Sequence, residues 1–166
     1  MGEALVPAWV GLGSNLAAPR KQLESALAGL AALPATRVLR VSSFYRTAPV
    51  GYAGQPDFIN AVAAIETGLA PRALLEALLD IERRHGRIRT IANGPRTLDL
   101  DLLLHGDQRI DEPGLTLPHP RMHERAFVMV PLAEIAPELA IPGRGVAADL
   151  ARALVGSQRV ERSESD

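Results

Sequence analysis

The chain has 166 residues, 47% of them hydrophobic, which predicts one folded domain with a core of ordinary size. It contains no cysteine, and this excludes disulfide bonds, thiolate metal sites and catalysis by a cysteine nucleophile. The formal net charge of −1 argues against a nucleic-acid-binding protein that relies on bulk positive charge.

Strand and helix patterns alternate along the first two thirds of the chain. An apolar strand is predicted at 4–13, ending in glycines, and an amphipathic helix within 14–34 follows it. Two strands are predicted at 36–47 and 57–67, separated by a long loop that contains prolines and glycines. A second helix at 71–86 begins at a proline and ends at a glycine, and a strand at 97–105 comes next.

The order β-α-β-β-α-β predicts an α+β fold of the ferredoxin-like type, in which helices pack on one side of an antiparallel sheet. A C-terminal extension follows, with a short hairpin around 105–112, a proline-bounded loop at 117–127 and helices within 128–136 and 146–155. We expect residues 1–156 to form a single domain and residues 157–166 to be a disordered tail.

Nothing in the sequence indicates a membrane protein. No uninterrupted apolar stretch reaches the ~18 residues that cross a bilayer, and the N-terminal apolar run lacks a preceding basic region. We therefore expect a soluble, cytoplasmic protein with no membrane partner.

A strongly basic segment precedes the last predicted strand. Between residues 82 and 96 there are five arginines and one acid, a local formal charge of +4. Such a cluster either solvates a helix end and the loop after it or binds an anion, and the planar guanidinium suits phosphate oxygens.

Two aspartates lie within the apolar strand "TLDLDLLLH". Side chains on a strand alternate between faces, so Asp99 and Asp101 share one face, with Cα atoms roughly 6.6 Å apart. One interpretation is a solvent-facing stripe paired with arginines. The other, which the arginines upstream favour, is a magnesium–nucleotide site, because Mg²⁺ is typically held by one or two carboxylates, waters and substrate phosphates.

Other motifs are weaker. "GLGSNL" lacks the ending of a phosphate loop and predicts a tight turn whose Ser14 and Asn15 bind backbone groups before the first helix. His119 and His123 have zinc-ligand spacing only on a continuous helix, which Pro120 interrupts. Between two prolines, His119 is either a fixed donor to phosphate or a residue that braces its loop.

Several segments together resemble the 6-hydroxymethyl-7,8-dihydropterin pyrophosphokinase family of folate synthesis, in that family's order and spacing over about residues 8–142. The most specific are "GPRTLDLDLLL" and the loop from "LPHP" to "AF"; "GLGSNL", "VSSFYRTAPVG", "QPDFINAVAAIET", "IERRHGRIR" and the rest of "LPHPRMHERAFVMVPLAEIAPEL" accompany them. The resemblance implies a ferredoxin-like fold and an enzyme that transfers pyrophosphate from ATP to the pterin hydroxymethyl group, releasing AMP.

The resemblance also implies roles for the matched residues. Asp99 and Asp101 would bind two Mg²⁺ ions that bridge the ATP phosphates, and Arg87 and Arg96 would act beside them in catalysis. The residues that would contact ATP are Arg89, Leu102, Thr116, His119 and Arg125. The residues that would contact the pterin are Thr47, Val50, Phe58, Asn60 and Phe127, with the two rings sandwiching it and the Asn60 amide binding its edge.

The sequence departs from the family pattern in places. The loop "TIAN" at 90–93 is one residue shorter and lacks an arginine–tryptophan pair, so the lid that it forms in the family would close over the pterin more weakly or through different contacts. Ala48 replaces a usual proline, Pro120 a common tyrosine, and Gly114 a basic residue. These departures affect expected affinity more than reaction type.

Two alternative functions follow from the same patterns. A metal-dependent phosphohydrolase would use the same carboxylates, and an RNA-binding or regulatory module can use the same fold. The aromatic signature of an RNA-recognition strand is absent, so we expect no nucleic-acid partner. We expect a monomer whose ligands are ATP, Mg²⁺ and the pterin.

Overall fold

A computed structural model of the chain describes residues 4–15, 18–48, 56–86 and 98–163. The strands are β1 Val6–Ser14, β2 Thr36–Val41, β3 Tyr45–Thr47, β4 Phe58–Thr67, β5 Asp99–His105, β6 Ile110–Glu112, β7 Leu115–Leu117, β8 Ala140–Ile141, β9 Gly145–Val146 and β10 Val160–Arg162. The helices are α1 Pro19–Ala31, α2 Pro71–Arg84, α3 Ala126–Ile135 and α4 Ala147–Leu154, with a 3-10 turn at Met122–Glu124.

The main sheet is antiparallel at each of its strand pairs. Its order is β10-β3-β4-β1-β5, and β2 pairs with β4 beside β3. Strand β4 pairs with β1 from Ile59, opposite Ser14, to Thr67, opposite Val6. The chain is therefore a mixed α/β protein built on an antiparallel sheet.

Two apolar clusters lie on opposite faces of this sheet. One joins α1 and α2 to alternate residues of the strands, among them Leu12, Ala61 and Leu100. The other joins α3 and α4 to the intervening residues, such as Val62 and Leu103. Helices therefore cover both faces, whereas the β-α-β-β-α-β pattern predicted them on one; the second layer is the C-terminal extension, whose apolar α3 needs its own surface to bury.

Helix α2 has the bounds that its sequence predicts. Pro71 is at its first turn, where the missing N–H costs nothing, and Ala70 before it is extended. Leu74, Leu78 and Ile81 are fully buried at helical spacing, which places one face of α2 on the sheet. Glu82 is also buried, although its side chain ends in a carboxyl group.

Three predicted elements differ from the structure. The strand expected at 36–47 is two strands, because the Ser42 hydroxyl accepts the Val62 N–H and the chain leaves strand geometry at 42–44. The expected hairpin around 105–112 lies at 110–117 instead. The prediction of a turn at "GLGSNL" is also wrong for its first residues, because β1 continues through both glycines and ends at Ser14.

The sequence predicts that Asn15 binds a backbone group before α1, and its side-chain N–H donates to the Pro56 carbonyl oxygen at 3.0 Å. The cap residue of α1 is Ala18, which makes no side-chain capping bond. The polar end of "GLGSN" therefore ties β1 to the segment before β4.

The expected disordered tail at 157–166 contains a strand. β10 pairs with β3, with Val160 opposite Thr47 and Arg162 opposite Tyr45. β3 would otherwise be an edge with unpaired backbone groups, and Arg162 also lies 3.7 Å from the Glu134 carboxylate. Across the described ranges, no helix combines the length and apolar content needed to span a membrane.

Candidate active site

The two strand aspartates lie on the same face of β5, as their spacing predicts. Asp101 is opposite Gly11 and Asp99 is opposite Gly13 on β1, while Leu100 between them is buried in the cluster under α1 and α2. Both aspartates are half-buried. The face that carries them also carries Asn60 and is covered farther along by α3, and we call it the α3 face.

A buried carboxylate holds the backbone between the two aspartates. The Leu100 N–H donates to Glu82 Oε2 at 2.7 Å, and Glu82 is only 2% exposed. β5 is the last strand of the sheet order, so this backbone group is satisfied by a side chain of α2 instead of a further strand. Glu82 therefore holds the backbone at Leu100, the residue between the two aspartates.

Asn60 lies at the centre of the α3 face. It is opposite Gly13 on one side and Tyr45 on the other, and it is 5% exposed. Its side-chain N–H donates to the Thr47 hydroxyl at 2.6 Å, and Phe58 lies two residues before it on the same face of β4. The structure thus brings together Thr47, Phe58 and Asn60, three of the residues implied to bind the pterin.

Gly13 is required by the position of the Asn60 amide. A Cβ at residue 13 would lie 2.6 Å from Asn60 Oδ1, closer than real contacts allow. The amide is buried and bonded to Thr47, so it has little freedom to move away. No signal in the sequence identified Gly13 beyond its place in "GLGSNL".

We expect Gly13→Ala to displace the Asn60 amide and raise the KM for the pterin about tenfold, while the KM for ATP changes little. The reason is that one well-formed hydrogen bond to a buried group contributes about 1–1.5 kcal/mol. Steady-state kinetics with each substrate varied in turn measure this, and Gly29→Ala in α1 is the control. A selective loss of ATP affinity in Gly13→Ala would contradict the pterin contact that the family resemblance implies for Asn60.

His119 is held by backbone bonds next to β5. Its N–H donates to the Leu103 carbonyl oxygen at 2.9 Å, and its ring Nδ1 accepts the Arg121 N–H at 3.2 Å. Because Nδ1 is an acceptor, the proton of the neutral ring is on Nε2. Burial, with Arg125 as the largest of the nearby charges, lowers the pKa of His119 to about 4, and Asp99 opposes this.

We expect the His119 ring to titrate near pH 4 in the free protein, against 6.5 for an ordinary histidine. The unfolded chain binds this proton at the higher pH, so the ring's contribution to stability is complete above 6.5 and is lost as the pH falls towards 4. NMR titration of the four histidines, with His119→Gln to assign the signal, measures it. A pKa of 6.5 or higher would exclude His119 as a neutral donor.

Arg125 and Phe127 border the same region from the start of α3. Arg125 is the residue before α3, and its guanidinium carbon lies 5.4 Å from the centroid of the Phe127 ring. Phe127 is half-buried against the cluster under α3, on the side of the sheet that carries Asn60. Arg121 differs from Arg125, because it forms an ion pair with Glu124 at 3.5 Å.

The remaining predicted site residues fall into two groups. Leu102 is buried in the cluster under α1 and α2, on the opposite face from Asp99 and Asp101, and Thr116 lies on β7 between two core leucines, opposite Asp111. Their roles stay predictions. Arg87, Arg89, Arg96, Val50 and the lid segment 90–93 lie outside the described residues.

The donor groups of the site fit Mg²⁺ better than zinc. Within the described ranges, no three or more histidine, aspartate or glutamate side chains are grouped as a metal cage. Asp99 and Asp101 provide two carboxylates on one face, which is the number that Mg²⁺ commonly takes from a protein when a nucleotide supplies phosphate oxygens. His119 uses Nδ1 for the Arg121 N–H, which leaves one nitrogen of that ring for a ligand.

Comparisons with known proteins agree with each other. Residues 9–137 match the family model described as 7,8-dihydro-6-hydroxymethylpterin-pyrophosphokinase (HPPK). A Pseudomonas aeruginosa protein named 2-amino-4-hydroxy-6-hydroxymethyldihydropteridine pyrophosphokinase is 53% identical over 134 residues, 81% of this chain and 83% of that one. A Haemophilus influenzae protein of the same name is 46% identical over 148 residues, 89% of this chain and 92% of that one.

Solved structures share the fold. The wild-type HPPK-DHPS of Plasmodium falciparum, crystallised with pterin and p-hydroxybenzoate, superposes with a TM-score of 0.74 at 16% identity. The match covers 93% of this chain and 42% of that one, so the chain spans less than half of the solved protein. At this identity the match shows a common fold alone.

Proposed function

Because the chain belongs to the 7,8-dihydro-6-hydroxymethylpterin-pyrophosphokinase family and is a pyrophosphokinase, we propose that it transfers the terminal pyrophosphate of ATP to 6-hydroxymethyl-7,8-dihydropterin. AMP is the second product, and the reaction is a step of folate synthesis. The pterin hydroxyl oxygen bonds to the β-phosphorus, the bond from that phosphorus to the bridging α-phosphate oxygen breaks, AMP leaves with that oxygen, and the hydroxyl proton passes to water.

The observation that supports this most strongly is the pair of carboxylates on the α3 face, opposite glycines and near a neutral histidine. In this proposal Asp99 and Asp101 would hold two Mg²⁺ ions. When bound, the ions would supply positive charge that neutralises the phosphates. The two side chains thus favour a ligand whose phosphate oxygens would complete the coordination of Mg²⁺.

The other residues bind and orient the substrates. His119 donates the Nε2 proton to a phosphate oxygen, and Arg125 supplies positive charge beside it. Asn60, braced by Thr47, binds the edge of the pterin, with Phe58 and Phe127 on its two faces. The family resemblance implies further ligand-binding residues, namely Arg87, Arg89, Arg96, Val50, Leu102 and Thr116. Catalysis rests on positioning and on charge neutralisation.

We make further proposals on the topology, the domain organisation, the location and the oligomeric state of the protein. The strand order supports a ferredoxin-like topology for β1, β2 with β3, β4 and β5. We also propose a single cytoplasmic domain that acts as a monomer.

The test is to identify the nucleotide that the protein releases. It is incubated with Mg²⁺ and ATP, with and without 6-hydroxymethyl-7,8-dihydropterin, and the nucleotides are separated chromatographically. We expect AMP in amounts equal to the pterin consumed, and none after Mg²⁺ is chelated. ADP, or hydrolysis without pterin, would indicate a phosphohydrolase, and the absence of turnover would indicate a binding module.

A further inference from the structure

Arg144 lies beside His119, although no pattern in the sequence identified it. It is in the turn between β8 and β9, and its Nη1 donates to the His119 carbonyl oxygen at 2.5 Å. The backbone of the turn is closed by the Arg144 N–H, which donates to the Ile141 carbonyl oxygen at 2.9 Å. Arg144 is half-buried, so its guanidinium is directed into the protein instead of into solvent.

Glycine is required within this turn. Gly143 has a φ of 75°, a backbone conformation that favours glycine. The backbone of the turn that carries Arg144 therefore depends on glycine at 143. The Arg144 side chain is held by its bond to the His119 carbonyl oxygen.

Most of the charges that act on His119 are positive. Arg125, Arg144 and Arg121 all lie close enough to lower the pKa of His119, and Asp99 is the acid that opposes them. Arg121 pairs with Glu124. In the part of the chain that the structure describes, neither Arg125 nor Arg144 forms an ion pair. Half-buried guanidinium groups without an acidic partner can attract an anion such as a phosphate.

We propose that Arg144 is an additional ATP-binding residue, which holds the His119 loop with one N–H and presents its charge and other N–H groups to the polyphosphate. The inference rests on the proposed function, because the anion is taken to be ATP. A guanidinium has five N–H donors, and the bond to the His119 carbonyl uses one of them. Arg144 would thus add to the charge that Arg125 supplies beside His119.

The test compares ligands of different charge. Calorimetry measures binding of Mg²⁺ with a non-hydrolysable ATP analogue, and binding of AMP, to the wild type, Arg144→Gln, Arg144→Lys and the control Arg152→Gln. Arg152 is an exposed residue of α4 that pairs with Asp149. A charge-assisted hydrogen bond to phosphate corresponds to about a tenfold change in affinity.

We expect Arg144→Gln to weaken binding of the ATP analogue about tenfold and binding of AMP about twofold. The difference in affinity between wild type and variant should shrink at high salt. Arg144→Lys keeps the charge and should recover part of the affinity. Arg152→Gln should match the wild type, and the KM for the pterin should not change. Arg144→Lys also serves as the informative variant if Arg144→Gln does not fold.

Three results would overturn the inference. An equal loss of affinity for both ligands in Arg144→Gln would mean that Arg144 only holds the His119 loop in place. Wild-type affinity for the ATP analogue in Arg144→Gln would mean that it has no role in binding. A wild-type protein that does not bind the analogue would overturn the proposed function as well, whereas the first two results would leave it intact.

Discussion

Replacing either Asp99 or Asp101 by asparagine is expected to lower pterin-dependent AMP formation by about 10²- to 10³-fold or more, with little change in the thermal unfolding midpoint. Loss of one preorganised electrostatic contact to a reacting group typically costs this much. Two carboxylates on one face of β5 repel each other, and asparagine relieves this repulsion while it keeps the size and one acceptor oxygen of each side chain. Initial rates and thermal unfolding measure the two effects.

The control for this pair is Asp107→Asn, because Asp107 is exposed in the loop after β5. Asp99 raises the pKa of His119, so Asp99→Asn should also move the His119 titration to still lower pH. This second readout shows that the variant is folded and that its charge has been removed from the site. A large drop in the unfolding midpoint of either variant would favour the alternative of a salt-bridged polar stripe.

Replacing Glu82 by alanine is expected to destabilise the protein by about 2–4 kcal/mol and to lower turnover. Glu82 is 2% exposed and accepts the Leu100 N–H, so its removal leaves a buried backbone donor without that acceptor. An unsatisfied buried group costs about 1–3 kcal/mol, and the lost side-chain volume adds to it. Urea unfolding measures the stability, and exchange of the Leu100 amide hydrogen measures the local effect.

Two variants make the Glu82 result specific. Glu82→Gln keeps an acceptor oxygen and should recover much of the stability. Glu76→Ala on the same helix removes an exposed carboxylate and should have little effect. If Glu82→Ala unfolds like Glu76→Ala, or the Leu100 amide stays protected, then Glu82 does not hold β5.

Much of the site could be predicted from local patterns. The alternation of Leu and Asp in β5 placed Asp99 and Asp101 on one face, and the structure confirms this. Helical spacing gave α2 and its buried residues. The family resemblance that these segments carry is confirmed by the match over residues 9–137. The roles of the individual site residues stay predictions.

Other features could not be predicted because they depend on distant parts of the chain. The strand expected at 36–47 is broken at Ser42, whose hydroxyl accepts the N–H of Val62, 20 residues farther along. The tail expected to be disordered forms β10, since β3 offers it an unpaired edge and Glu134 attracts Arg162. Neither partner is visible in the local composition of the segment.

The sequence by itself therefore determined the period of each strand and helix, the shared face of the two aspartates and the family, because these follow from backbone geometry and from the order of motifs. Only the tertiary structure decided what surrounds them. Glu82 meets Leu100 across 18 residues, and Arg144 meets His119 across 25. Such contacts arise from strand register and helix packing, which bring together side chains that no local pattern relates.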